Sequence, residues 1–412
     1  MTHTLITFLG RVLRNDKGYR TTEYRFPDDT ISEPVAFFGR ELSNRLQPDR
    51  LVILGTAGSM WDHLFEKDID LGQQSEEQRV ALMEAVEHKC VDESLLRSLA
   101  PLLSKELAVD VTLRIIPYCR TPVEQSELLR ILAEEVSDGD RIDLDVTHGF
   151  RHLPMLMLLA AMYLRLAMDA EISGIWYGAF DPETDDAPVM ELSGLLRFMD
   201  WLQALYGFDK DGDYGVFVRL LEQAGADDQL VDALRQAAYF ENILNVGEAT
   251  GKLRQALTQM ESARLDAPEA ELVLPLLRQR LAWVSEKKQF EKQIRLARHS
   301  LEHDDYLRAV LYLYEAVITR LCQLAGVQVQ DFSEREMLRK RYEGSVRDFP
   351  GEWEQYRLLK NLRNQVAHGT RPSRSDVQKA LLNETQMKET MELLLQAIEA
   401  GDLPSAAAIG DS

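Results

Sequence analysis

The 412-residue sequence predicts an N-terminal α/β domain built on a doubly wound parallel sheet, followed by an all-α remainder. Two observations carry this. Short apolar runs of strand character alternate with helical spacing over about the first 190 residues. From about Ser193 the strand-like runs stop and helical spacing continues to about Gly401.

In order, 4–9 (TLITFL) reads as a first buried strand ending at Gly10-Arg11, with a polar loop at 14–25. Helical spacing over 31–46, with Ser32 as N-cap, predicts a helix. A second strand, 51–54, runs into the small-residue turn 55–61. Residues 76–103 are expected to be helical with a break near Pro101. The strand at 111–116 leads to a helix at 121–136, where Thr121 and Glu124 form a capping box. A fourth strand, 141–146, delivers Thr147–Arg151, and an apolar helix follows to Met168. Two late strands, 172–177 and 189–192, flank an Asp/Pro-rich turn at 181–188. The loops leaving the strand ends, 10–25, 55–61 and 147–151, are where such sheets bind ligands.

Beyond residue 193, helices are expected at 195–206, 214–224, 228–263, 272–282, 289–326, 353–368 and 377–399. The organisation is 1–195, an α/β domain; 196–288, a helical linker; 289–400, a second all-α domain; and 401–412, a disordered tail.

Composition narrows the function. No run approaches the ~20 apolar residues of a membrane span, so no membrane partner is expected. The opening Met1-Thr2-His3-Thr4 has neither the basic start nor the apolar core of a signal peptide, so none is expected, and the three cysteines, Cys90, Cys119 and Cys322, are widely spaced. A reducing cytoplasm without a Cys-based zinc site is expected. The net charge of −21 argues against a non-specific nucleic-acid coat, which would want a basic surface. Residues 285–380 nevertheless hold 18 Lys/Arg against 14 Asp/Glu, a balance of +4, leaving −25 for the remainder. Any nucleic acid should act at that segment.

Within it lies Arg363-Asn364-Gln365-Val366-Ala367-His368-Gly369. Residues four apart share a helix face, so Asn364 and His368 project together, with Arg363 one step around. Gly369 reads as the helix stop. Arg offers a planar fork to a phosphate and His can move a proton near neutral pH. Metal-free phosphodiester cleavage fits, with His368 handling the proton and Arg363 holding the phosphate. The plainer alternative is a helix end where both cations serve the last carbonyls and the dipole.

The second constellation is Asp145-Val146-Thr147-His148-Gly149-Phe150-Arg151. Gly149 lets the backbone turn closely and Arg151 opens the next helix, a setting for a phosphate or a purine edge. A polar turn with His148 bonded to a neighbouring loop is the equal alternative. No Ser or Cys partner stands nearby to make His148 a catalytic base.

The Thr-His-Gly-x-Arg loop, the earlier Leu54-Gly55-Thr56-Ala57-Gly58-Ser59 loop and the Phe8-Leu9-Gly10 opening resemble the CARF domains of CRISPR-associated proteins, which are Rossmann-like sensors of cyclic oligoadenylates. The Arg-x4-His spacing of Arg363 and His368, with Asn364 between, resembles the motif of HEPN-domain ribonucleases. The order CARF, helical linker, HEPN is similar to that of the ancillary ribonucleases of type III CRISPR systems. The resemblance implies an antiviral, activator-gated endoribonuclease. It implies a homodimer or higher even oligomer with one cyclic oligoadenylate, four adenylates being the commoner ring, across the CARF two-fold axis. Single-stranded RNA would be cut at a composite HEPN site without metal or cofactor, leaving a 2′,3′-cyclic phosphate.

By position, Arg363, Asn364 and His368 take the catalytic roles. Thr147, His148, Gly149 and Arg151 are the first ligand candidates, and Gly10, Arg11, Thr56 and Ser59 the second. Arg11 departs from the small or hydroxyl residue of many relatives. A sensor that binds without cutting, and a ring nuclease that degrades its own activator, remain alternatives.

Overall fold

The computed structural model describes residues 1–12, 14–15, 18–65, 73–181 and 186–409. The chain forms two compact units, Met1–Arg197 and Phe198–Ser412. Parts of the expected loops at 10–25 and 181–188, and the last three residues of the expected tail, lie outside the described residues.

The first unit runs β1 (His3–Leu9), β2 (Arg14–Asn15), β3 (Gly18–Tyr19), α1 (Phe38–Leu46), β4 (Arg50–Gly55), α2 (Gln73–Glu87), α3 (Glu93–Leu107), β5 (Asp110–Ile115), α4 (Pro122–Glu134), β6 (Arg141–Asp145), α5 (Leu153–Ala167), β7 (Glu171–Gly178) and β8 (Val189–Glu191). Six strands form one sheet in the order β5-β4-β1-β6-β7-β8. The first five are mutually parallel and β8 pairs antiparallel with β7, so the sheet is mixed at one edge.

Alternation along the central strands feeds both faces. Leu5, Leu9, Leu51 and Ile53 pack with Phe38, Leu42, Leu96 and Leu99 on one side. Ile6, Phe8, Val52, Leu54 and Leu144 pack with Leu128, Leu132, Met157 and Leu164 on the other. The chain leaves β1 towards β4 and β5, then returns to β6 on the opposite flank of β1. The reversal point therefore lies between the C-terminal ends of β1 and β6, where an open α/β sheet has its crevice.

Two helix expectations are corrected here. The helix predicted at 31–46 begins only at Phe38. Pro34 forces extended backbone on its predecessor, and Thr22 and Val35 exchange main-chain hydrogen bonds at 2.9 and 3.0 Å. The Ser32 hydroxyl, expected as an N-cap, instead accepts the Tyr24 N–H at 2.8 Å. Pro101 lies inside α3 without breaking it, and the interruption falls earlier, between α2 and α3, where Lys89 has φ 56° and Asp92 caps α3.

The second unit begins in α6 (Gly194–Asp211) and continues through α7 (Val218–Gln223), α8 (Asp228–Asn242), α9 (Val246–Ser262), α10 (Pro268–Arg280), α11 (Gln289–Glu302), α12 (Tyr306–Leu324), α13 (Phe332–Ser345), α14 (Pro350–His368), α15 (Ser375–Ala380) and α16 (Glu384–Ala400). It has two cores. One gathers Trp201, Phe217, Leu234, Leu253 and Leu277, and the other Leu313, Val317, Leu321, Tyr356, Leu362 and Met391.

The expected helices 228–263 and 289–326 are each two. Leu244 (φ 62°) and Asp304 (φ 61°) leave the helical region, and Asn245 and Asp305 cap the successors. The helix expected at 377–399 is divided at 381–383, and α13 was not anticipated. The tail expected to be disordered is packed through residue 409. Leu403 and Ala408 are buried, and Ser405 donates its N–H and hydroxyl to the Glu352 carboxylate at 2.9 and 2.6 Å.

Candidate functional site

Two groups of side chains were singled out in the sequence, and each unit holds one. In the first unit the loops after β1, β4 and β6 meet. Gly10 ends β1 so close to the loop after β6 that a Cβ there would lie 2.9 Å from the Gly149 nitrogen and 3.3 Å from the His148 Cβ. Gly149 itself has φ 111°, a conformation that favours glycine. The Gly10 carbonyl accepts the Met60 N–H at 3.0 Å, tying the β4 turn to the same point. Within that turn the Ser59 hydroxyl accepts the Thr56 N–H at 3.0 Å.

The loop after β6 is anchored from beneath. Asp145 is fully buried and accepts the Thr7 hydroxyl at 2.6 Å and the Thr147 N–H at 2.8 Å. Burial pushes its carboxyl up to about 6, opposed by those hydrogen bonds. The Thr147 hydroxyl accepts the Gly178 N–H of β7 at 2.8 Å. His148 Nε2 accepts the Phe38 N–H at the start of α1, at 3.0 Å. Burial, then the charge of nearby His63, pushes this imidazole down to about 4. His148 is thus a neutral acceptor bonded to a neighbouring loop, the alternative that the sequence left open.

A cleft of about 350 Å³ opens above these anchors, lined by Gly10, Arg11, Thr56, Ser59 and Gly149 of the expected set. Thr147, His148 and Arg151 are not on its wall. Arg151 is exposed, with no partner among the described residues. The wall also includes Lys89 and Tyr118, which sequence reasoning missed, and Phe150, which lies in the singled-out loop but was not named as a ligand candidate. Phe150 is 42% exposed, and its ring centroid lies 5.6 Å from that of Tyr118. The Arg120 guanidinium covers the Tyr118 ring at 4.9 Å. These residues come from three separate connections, and no local pattern groups them. The cleft offers aromatic faces to a base and cations to a phosphate. His148 and His152 both bond to main chain, and neither is set against a hydroxyl.

In the second unit α14 ends at His368, and Gly369 (φ 61°) closes it with an N–H to the Gln365 carbonyl at 2.8 Å. The Arg363 guanidinium lies over the Tyr314 ring of α12 at 5.1 Å and donates to Asn364 Oδ1 at 2.9 Å. The ring and amide hold the fork in one plane, and one turn further His368 is exposed, with no partner among the described residues.

The helix beneath is fastened by Glu343 of α13, which accepts Tyr356 at 2.8 Å and Lys360 at 2.6 Å. Burial raises that carboxyl, but Lys360 and Tyr356 outweigh it and hold Glu343 below its ordinary value. A larger hollow beside α13, about 720 Å³ among Met337, Leu338 and Ile409, has one cation and one carboxylate on its wall and no aromatic ring.

Residues 4–181 match the family described as CRISPR system endoribonuclease Csx1, CARF domain. The chain is also similar to a CRISPR-associated protein of Methanocaldococcus jannaschii, at 26% identity over 390 residues, covering 87% of this chain. The chain spans about 60% of that relative's length. No described helix is long and apolar enough to cross a membrane. The match falls on the six-stranded α/β unit, so it is residues 4–181 that are similar to a CARF domain.

Proposed function

We propose that this chain is a cyclic-oligoadenylate-gated endoribonuclease, with the activator in the cleft above Gly10 and Gly149 and RNA cleavage at Arg363, Asn364 and His368. The observation that carries the reading is their pairing on one chain: a CARF-type cleft at the reversal point of the sheet, and an Arg–Asn–His helix end facing solvent.

In the cleft, Tyr118 and Phe150 stack against adenine while Arg11, Lys89 and the loop amides meet phosphate. A cyclic tetra-adenylate has even symmetry, which suits a two-fold dimer in which each copy holds half the ring. At the helix end, His368 takes the proton from a ribose 2′-hydroxyl, whose oxygen attacks the adjacent phosphorus. The bond from phosphorus to the 5′-oxygen breaks, and that oxygen leaves with a proton from the imidazole of a second copy. The products are a 2′,3′-cyclic phosphate and a 5′-hydroxyl. Arg363, oriented by Asn364, holds the phosphate oxygens, and no metal takes part in a step.

The test incubates the full chain with labelled single-stranded RNA and EDTA, with and without cyclic tetra-adenylate, scoring RNA fragments and linear adenylates in one tube. Activator-dependent fragments that vanish in His368→Ala support the reading. Binding without fragments would leave a sensor only, and linear adenylates without fragments a ring nuclease.

A further inference from the structure

Outside both regions, the C-terminal turn of α11 carries His299 and Glu302, and His303 caps it, at spacings of three and four residues that bring the three side chains together. One donor atom of each lies within 4.8 Å of the others. Two donors ~2.1 Å from a common ion are at most ~4.2 Å apart, so the set closes with a rotamer adjustment of about half an ångström. Glu302 is exposed and free to make it.

The two imidazoles are prepared differently. His303 Nδ1 lies 2.8 Å from the His299 carbonyl oxygen. Donating there fixes the tautomer and leaves Nε2 with its lone pair outward, the arrangement that second-shell bonds impose on metal-bound histidines. His299 packs against Phe208 at 6.3 Å, and its Nε2 is enclosed with no hydrogen-bond partner among the described residues. Two neighbouring arginines are already matched. Arg280 pairs with Asp209 at 2.7 Å, and Arg308 donates to the Asp211 carbonyl and to Asn242 Oδ1 at 2.7 and 3.1 Å.

We infer that His299, Glu302 and His303 bind one divalent transition-metal ion of the zinc class. Two imidazoles and one carboxylate select such an ion over magnesium or calcium, which prefer all-oxygen shells. The fourth position stays open to water. Bound there, the ion fastens the last turn of α11 to its C-cap, immediately before the Asp304–Asp305 turn that opens α12. It has no part in the cleavage proposed above.

The test strips the full chain with chelator and titrates it with zinc by calorimetry, and with cobalt by visible absorbance, in excess magnesium. One ion per chain is expected, with slower amide exchange over residues 299–306 in its presence. His303→Ala and Glu302→Gln, both at exposed positions, should each weaken zinc binding about tenfold or more and diminish the cobalt bands. Circular dichroism confirms that the variants fold. Unchanged affinity in both variants, as binding through exposed Cys90 would give, overturns the assignment. So does the absence of binding at hundred-micromolar zinc.

Discussion

Replacing His148 by Gln should expose a pH dependence that the native loop conceals. The folded chain holds this imidazole near 4 against 6.5 in an exposed chain, because burial and His63 disfavour its charged form. As pH falls from 6.5 towards 4, the unfolded chain takes up a proton that the folded one refuses. Stability that is complete above pH 6.5 is then lost, by about 2–3 kcal/mol after allowance for partial exposure. Asp145 works in the opposite direction, since its carboxyl is raised from 3.8 to about 6. Its contribution is complete below pH 3.8 and is lost as pH rises to 6, by about 3 kcal/mol.

Over pH 4–6 the two slopes should cancel to within ~1 kcal/mol. A glutamine at 148 can still accept the Phe38 N–H but does not titrate, so His148→Gln should lose stability as pH rises through this window. Asp145→Asn should gain it. Amide exchange of β1 and β6 peptides in urea reads the N-terminal unit by itself, and subtracting the wild-type curve removes the other titrations. Curves that stay parallel to wild type, or two variants that slope the same way, would refute the opposed-pair account.

Three further outcomes follow from the two candidate regions. Arg363→Ala and His368→Ala should each slow RNA cleavage by ~10²–10⁴-fold in single-turnover assays while activator binding by calorimetry is unchanged; a wild-type rate in His368→Ala would falsify the proton-transfer role. Phe150→Ala removes a stacking face and should weaken cyclic tetra-adenylate about tenfold, as read by fluorescence anisotropy; an unchanged Kd would place the ligand elsewhere. A mixed dimer with one His368→Ala copy should lose well over half its cleavage activity, whereas retention of half would mean that each copy cuts alone.

The central strands were legible because nothing competes with a buried parallel strand: TLITFL and LVIL have no alternative period. Helix starts were less so. Ser32-Glu33 imitates a capping site, and only the bond between Thr22 and Val35, thirteen residues apart, shows that Pro34 wins. The break between α8 and α9 had a signal, Asn245 with Glu248 three residues on, which continuous helical spacing masked. α13 escaped because its apolar residues do not make a stripe, and Phe332 and Met337 are 80% and 67% exposed. Of the cleft, the loops rich in small residues were readable as motifs. Lys89 and Tyr118 were not, because two further connections bring them to the loop that carries Phe150.

The approach of Gly10 to Gly149 sets what an engineer of ligand preference could alter. A methyl group on Gly10 meets main chain, and one on Gly149 meets Leu153 Cδ1 at 2.9 Å on a backbone that already disfavours any side chain. Library positions on this floor would return mostly misfolded clones. The rim is different, since Lys89 and Tyr118 lie on other connections and the Phe150 ring is exposed at the end of this one. Exchanging them leaves the register of β1 on β6 untouched. The cleft therefore divides into a floor fixed by backbone geometry and a rim free to be redrawn, and new ligand selectivity should be sought by randomising the rim.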